Sequence, residues 1–222
     1  MKKASPMNGR PRGRPRQFDR DHAVATALSL FRVRGYEGTS IAHLTQAIGV
    51  SATSLYGVFP SKEALFEEAI ARYQSTEGAF AAAALERAST AFDAIHDLLA
   101  EAAVRYARSD GSGGCLIALG VLSCGVEHRD IAQRMEERRS AARAAIKARL
   151  DRGKQAGELR QETDTRSLAA FYAATLQGMS VQARDGASAQ ELKRIAQTAL
   201  VPLGLYRTSC RGKAGLADSV TS

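Results

Sequence analysis

The chain has 222 residues, 45% apolar and 24% charged, values near the globular average that leave enough material for a sizeable core. They exclude a mostly disordered chain, a collagen and a disulfide scaffold, and the wealth of Ala, Leu, Arg and Glu, with 5 Pro and no Trp, favours helices over sheet. The net charge is +8, and positions 1–20 hold seven basic residues against one acidic. A nearly neutral body thus wears a basic arm, which suits a polyanion such as nucleic acid or an anionic membrane surface.

No apolar run follows the basic start, so no secretory signal is expected. The longest uncharged stretch, 111–126, falls short of the ~20 apolar residues a membrane helix needs. Cys115, Cys124 and Cys210 form no CxxC and have no His at metal-ligand spacing. The expectation is a cytoplasmic protein with no membrane partner, cofactor or metal.

Residues 1–17 mix Pro, Gly, Ser and Arg without apolar period and read as a disordered basic arm. From Asp19, the apolar positions Val24, Ala27, Leu28 and Phe31 predict a helix stopped by Gly35, with Asp19 or Asp21 at its start. Thr39-Ser40 caps a second, short helix carrying Ile41, Leu44 and Ile48, ended by Gly49. Ser51 caps a third, to about Val58, and Ser61 opens a longer one with Leu65, Phe66, Ala69, Ile70 and Tyr73. Further on, a helix carries Phe92, Ile95, Leu98, Leu99 and Tyr106, and the very apolar Cys115–Val126 reads as a buried helix. A long charged helix is expected from about Arg129 to Gln155. Two more, at 168–183 and 189–205, have the paired apolar faces of a dimerising bundle. The fold class is all-α, with about nine helices.

Two short helices joined by a Gly-containing turn, the second opened by Ser, describe a helix-turn-helix. The outward side chains of 51–58 are Ala52, Thr53, Ser54 and Tyr56. Small residues let a helix approach base edges, hydroxyls bond bases or phosphates, and Ala or a Thr methyl touches a thymine methyl. Lys62 and the helix start beside Ser61 suit a phosphate. A plain antiparallel helix pair shares this spacing.

The residue string is more specific. Gly35-Tyr36-Glu37-Gly38-Thr39-Ser40-Ile41, Ala47-Ile48-Gly49-Val50-Ser51, Leu55-Tyr56, Phe59 and Ser61-Lys62-Glu63 resemble the DNA-binding domain of the TetR family of transcriptional repressors. The resemblance implies a helix-turn-helix domain at 18–66, a ligand-binding and dimerisation domain at 67–207, and a flexible tail at 208–222. It also implies that Thr39, Ser51, Thr53, Tyr56 and Lys62 stand where the family meets DNA, beside the further candidate Ser40, and that dimers form through residues about 168–205. Thr53 departs from the family's frequent Gly, and Gly57-Val58 from its frequent His before Phe59, which leaves the base preference open.

Pro11-Arg12-Gly13-Arg14-Pro15, followed by Arg16, resembles an AT-hook core, in which Arg side chains enter the narrow minor groove of A·T-rich flanks. In the body, Phe92, His96, Tyr106, Cys115, Leu119 and Phe171 are candidates to line an inducer cavity, with ordinary core as the plainer reading of each. A buried, hydrogen-bonded state is expected for His96. Cys115 follows Gly113-Gly114, and Gly114-Cys115-Leu116 resembles a segment in a branch of these repressors, some of which respond to electrophiles or oxidants. A buried, inert thiol is the alternative. An enzyme is not expected, since no phosphate loop, HExxH or GxSxG is present. The functional expectation is a homodimeric repressor released from a palindromic operator by a small-molecule inducer or electrophile. The alternative is an architectural protein of AT-rich DNA.

Overall fold

A computed structural model describes residues 18–108, 111–121 and 124–208. Arg12, Arg14, Arg16 and the tail from 209 lie outside them. Among the described residues there are ten α-helices, a 3-10 turn at Val126–His128 and no strand. The helices are α1 (Arg20–Arg34), α2 (Ile41–Ile48), α3 (Ala52–Tyr56), α4 (Lys62–Ser75), α5 (Phe80–Arg87), α6 (Ala91–Tyr106), α7 (Leu116–Leu119), α8 (Arg129–Gln155), α9 (Thr165–Arg184) and α10 (Ala189–Leu205).

The start signals work as the sequence suggests. Asp19, Ser40, Ser51 and Ser61 each accept a backbone N–H of the first turn of α1 to α4, a contact worth about 1 kcal/mol per cap. At the α2–α3 turn Gly49 takes φ +78, the left-handed conformation that a side chain disfavours. Its N–H donates to the Thr45 carbonyl at 2.9 Å. The Val50 N–H donates to the same carbonyl at 3.1 Å, so the turn caps the Thr45 carbonyl near the end of α2.

Two apolar cores form. One joins α1 to α4 through Phe31, Tyr36, Leu44, Leu55, Phe59 and Phe66, all 2% exposed or less. The other fills the body between α5, α6, α8, α9 and α10, with α10 packed along α6 and α8 along α9. The head's core does not end at the expected 66/67 boundary. Helix α4 runs unbroken to Ser75, and Leu116, Val121, Ile131 and Met135 from the body complete the cluster.

One expectation needs correction. Cys115–Val126 is not one buried helix: among its described residues an α-helix covers Leu116–Leu119, and Val126 opens the 3-10 turn. The backbone there serves the head instead. The Gly120 carbonyl accepts the Tyr36 N–H at 3.0 Å, and the Gly125 N–H donates to Glu37 at 3.2 Å. Cys115 and Cys124 are both free thiols. Helix α5, by contrast, lies in a stretch for which no element was predicted.

Candidate DNA-binding face and body cavity

Helix α3 is five residues long and buries one of them, Leu55. Ser51, Ala52, Thr53, Ser54 and Tyr56 are exposed, with Tyr56 49% exposed despite its size. An inward Leu with small or hydroxylated neighbours outward is what a helix needs to lie against a groove. Ser51 is partly engaged as the cap, with its Oγ 3.1 Å from the Ser54 N–H and 2.9 Å from the Ser54 Oγ. Ser40 forms a reciprocal cap with His43 and is exposed.

Two expected DNA contacts are turned inward. Thr39 is fully buried, and its hydroxyl donates to the Gly35 carbonyl at 2.7 Å. Lys62 donates to the Tyr36 and Thr39 carbonyls, each at 3.1 Å, and its ammonium lies 3.9 Å from the centroid of the Tyr36 ring. Burial lowers its pKa, and Glu37 and Glu63 oppose that shift. Both residues brace the turn after α1, a role that sequence position alone does not separate from phosphate contact.

That turn is the joint between head and body. The Tyr36 phenol donates to Glu63 at 2.6 Å, and burial, then Glu63, raises its pKa. Glu37 lies 2.8 Å from His128 Nδ1, a contact that, ahead of the others, lowers the Glu37 pKa. Arg184 of α9 donates to the Arg32 carbonyl at 2.7 Å and the Val33 carbonyl at 3.3 Å, at the end of α1. Glu67 of α4 is shared by Arg134 at 2.8 Å and Arg138 at 2.5 Å, both on α8. These partners lie up to 152 residues apart in sequence, so no local pattern announces them.

The body contains a cavity of about 340 Å³, within the range of small-molecule sites. Of the expected lining residues it includes Tyr106 and Cys115. Phe92 is instead half-buried beneath the Arg207 guanidinium, 4.6 Å from its ring centroid. His96 is not buried as expected: it is exposed and bonded to Asp97 at 3.2 Å, because its position on α6 lies off the buried face of Ile95 and Leu99. Leu119 is half-buried against Gly114, and Phe171 is 42% exposed on α9. Met135 belongs to the head's core.

Cys115 stands between the two cores and packs against both. The Tyr73 and Tyr106 phenols stand beside its thiol, and their pKa values are raised by burial first and by the sulfur next. Its backbone N–H donates to Ser180 Oγ at 3.3 Å. The preceding Gly114 takes φ +85, and a Cβ there would lie 2.6 Å from the Ser180 carbonyl oxygen. Gly is thus required for the close approach of this segment to α9. Sequence reasoning missed Tyr73 and the arginines of α8 that line the cavity, since a charged helix reads as a solvated face.

Among the described residues no helix is long and apolar enough to cross a membrane, and no group of side chains suits a metal ion.

Residues 23–69 match the model of bacterial regulatory proteins of the tetR family, and residues 91–199 match a tetracyclin repressor-like C-terminal domain. The chain is 35% identical to the HTH-type transcriptional repressor ComR of Escherichia coli (strain K12), covering 85% of this chain and 90% of that protein. It is 31% identical to the HTH-type transcriptional repressor BdcR of the same strain, covering 81% and 86%. Among solved structures, a cysteine mutant of the TetR family regulator CifR, complexed with 26-base-pair operator DNA, superposes with a TM-score of 0.80. Its identity is 38%, over 85% of this chain and 98% of that one. With both halves matched and the relatives covered nearly end to end, the chain belongs to the TetR family of DNA-binding transcriptional regulators.

Proposed function

We propose that the chain is a homodimeric repressor that binds a palindromic operator and releases it when a small molecule or an electrophile acts on the body. The observation that carries this reading is the segment 115–121. Cys115, Ile117 and Ala118 line the cavity, while Leu116 and Val121 complete the head's core. Whatever enters the cavity therefore presses on the support of the DNA-binding head. An inducer must bind the arrangement that fits DNA poorly more tightly than the one that fits it, or it shifts nothing.

On DNA, Ala52, Thr53 and Tyr56 meet the major groove and its flanking phosphates, with Ser40, Ser51 and Ser54 beside them. Dimerisation uses α9 and α10. Phe171, Ala174, Gly178 and Val181 recur on one face of α9 and are all exposed; Val201 and Leu205 on α10 are 62% and 67% exposed. Apolar side chains at such spacing are normally covered by a partner helix. A two-fold dimer sets its recognition helices ~34 Å apart, one turn of DNA.

The arm adds grip in the neighbouring minor grooves through Arg12, Arg14 and Arg16. Deleting residues 1–16 is expected to weaken operator binding and to flatten its salt dependence by about 0.9 in slope for each phosphate the arm no longer neutralises. Titrations of both proteins at several salt concentrations measure this, and an unchanged slope contradicts it.

Cys115 is the candidate for electrophile response. In addition to an α,β-unsaturated carbonyl compound, the sulfur bonds to the β-carbon and the thiol proton ends on the α-carbon. The adduct projects into the cavity that Cys115 lines and crowds the Tyr73 and Tyr106 phenols there. N-ethylmaleimide is therefore expected to release operator from the wild-type protein and not from Cys115→Ser, read by fluorescence anisotropy. Equal release from both proteins removes Cys115 from the mechanism.

A further inference from the structure

The cavity carries a charge pattern that the reading above leaves unused. Its walls are apolar, with Phe80, Leu85, Leu98, Ile117, Ile146 and Leu176 among them. The charged residues in its lining are Arg138, Arg139 and Arg143, all from α8, and no Asp or Glu lines it. Two of the three are engaged. Arg138 pairs with Glu67, and Arg139 donates to the Ile117 carbonyl at 3.3 Å and the Val121 carbonyl at 3.5 Å. Arg143, one turn beyond Arg139 on the same helix face, is exposed and makes no hydrogen bond or ion pair with the described residues.

An apolar chamber rimmed by guanidinium groups alone discriminates by charge. A cation is repelled, a neutral molecule gains burial and neutral hydrogen bonds such as those of Gln74 and Gln177, and an anion gains burial together with stronger, charge-assisted, planar hydrogen bonds. We propose that this cavity takes an amphipathic carboxylate, with an acyl or aryl body inside and its carboxylate on Arg143 and Arg139. The proposal rests on the ligand-responsive reading and names the ligand class of that same site.

The geometry also gives the ligand a route to the head. The Ile117 and Val121 carbonyls that Arg139 holds belong to the segment that completes the head's core. A carboxylate at the rim competes for Arg139 and releases those carbonyls, loosening the segment under Tyr36. A neutral ligand of the same shape fills the chamber without that competition.

The test uses the full chain, with decanoate below its micelle-forming concentration and decanol as the uncharged match, by isothermal titration. Decanoate is expected to bind about tenfold tighter than decanol, and Arg143→Ala to lose about that factor for decanoate while leaving decanol unchanged. Because Arg143 is exposed and unpaired in the fold, its truncation leaves the body intact, which thermal unfolding checks. Equal binding of acid and alcohol, binding of neither, or indifference to Arg143→Ala overturns the proposal. Operator release, read in parallel, separates the two readings. Arg143-dependent binding of decanoate without release upholds the ligand class and defeats ligand-responsive repression. Equal release by acid and alcohol does the reverse.

Discussion

Tyr36→Ala is expected to cost about 3–5 kcal/mol of stability and to abolish operator binding. Tyr36 is completely buried, with its ring centroid 6.3 Å from that of Phe31 and 5.0 Å from those of Phe66 and His128. Its ring carries the Lys62 ammonium, its phenol pairs with Glu63, and its N–H is held by Gly120. Truncation leaves a cavity where α1, α4 and the 115–121 segment meet. Urea unfolding and operator titration measure the two losses; a variant as stable as wild type, with normal DNA affinity, contradicts this role.

The milder Tyr36→Phe isolates the carboxylate. Ser61 and then Tyr36 hydrogen-bond Glu63 and bring its pKa down to about 2. A carboxyl depressed on folding adds stability that is present above its unfolded value, about 4.3, and is lost as pH falls towards the folded value. In Tyr36→Phe the loss of stability between about pH 4.3 and 2 is therefore expected to be shallower than in wild type. Parallel acid profiles for the two proteins contradict it.

Val201→Glu combined with Phe171→Glu is expected to turn a dimer into a monomer and to weaken operator binding by about a hundred- to ten-thousandfold. Both side chains are exposed in the single chain, so the charges cost it little on folding, whereas at a helix-to-helix interface they meet their own symmetry copies without water. The DNA penalty arises because two linked heads bind their half-sites as one event and a lone head does not. Sedimentation gives the oligomeric state and anisotropy the affinity. A variant that remains dimeric, or a monomer that binds as well as wild type, overturns the assignment of this surface.

The head was legible because its signals are local. Capping Ser and Asp residues, the glycine at the α2–α3 turn and the 3.6-residue apolar period each fix structure within a few positions. Helix α5 was not predicted, although half of Phe80–Arg87 is alanine, the strongest helix former. The run 115–126 misled for a physical reason. A short, wholly apolar stretch has no polar face to report its periodicity, and its carbonyls and N–H groups are drawn to Tyr36 and Glu37 across the chain. The same distance problem hid the inward turn of Thr39 and Lys62 and the pairing of Glu37 with His128. For the cavity, Tyr106 and Cys115 were found because a buried face and an unusual thiol are visible in sequence. Arg138, Arg139 and Arg143 were not, since the reach of a long side chain into an apolar chamber depends on which helices close it.

Footprinting on the DNA flanking the coding region, at two salt concentrations, tests sequence-specific repression most directly. The expected result is a protected, two-fold-symmetric site, its half-sites one helical turn apart, that survives the higher salt. Diffuse protection that vanishes with salt would contradict it, and would mean backbone-dominated binding of an architectural kind.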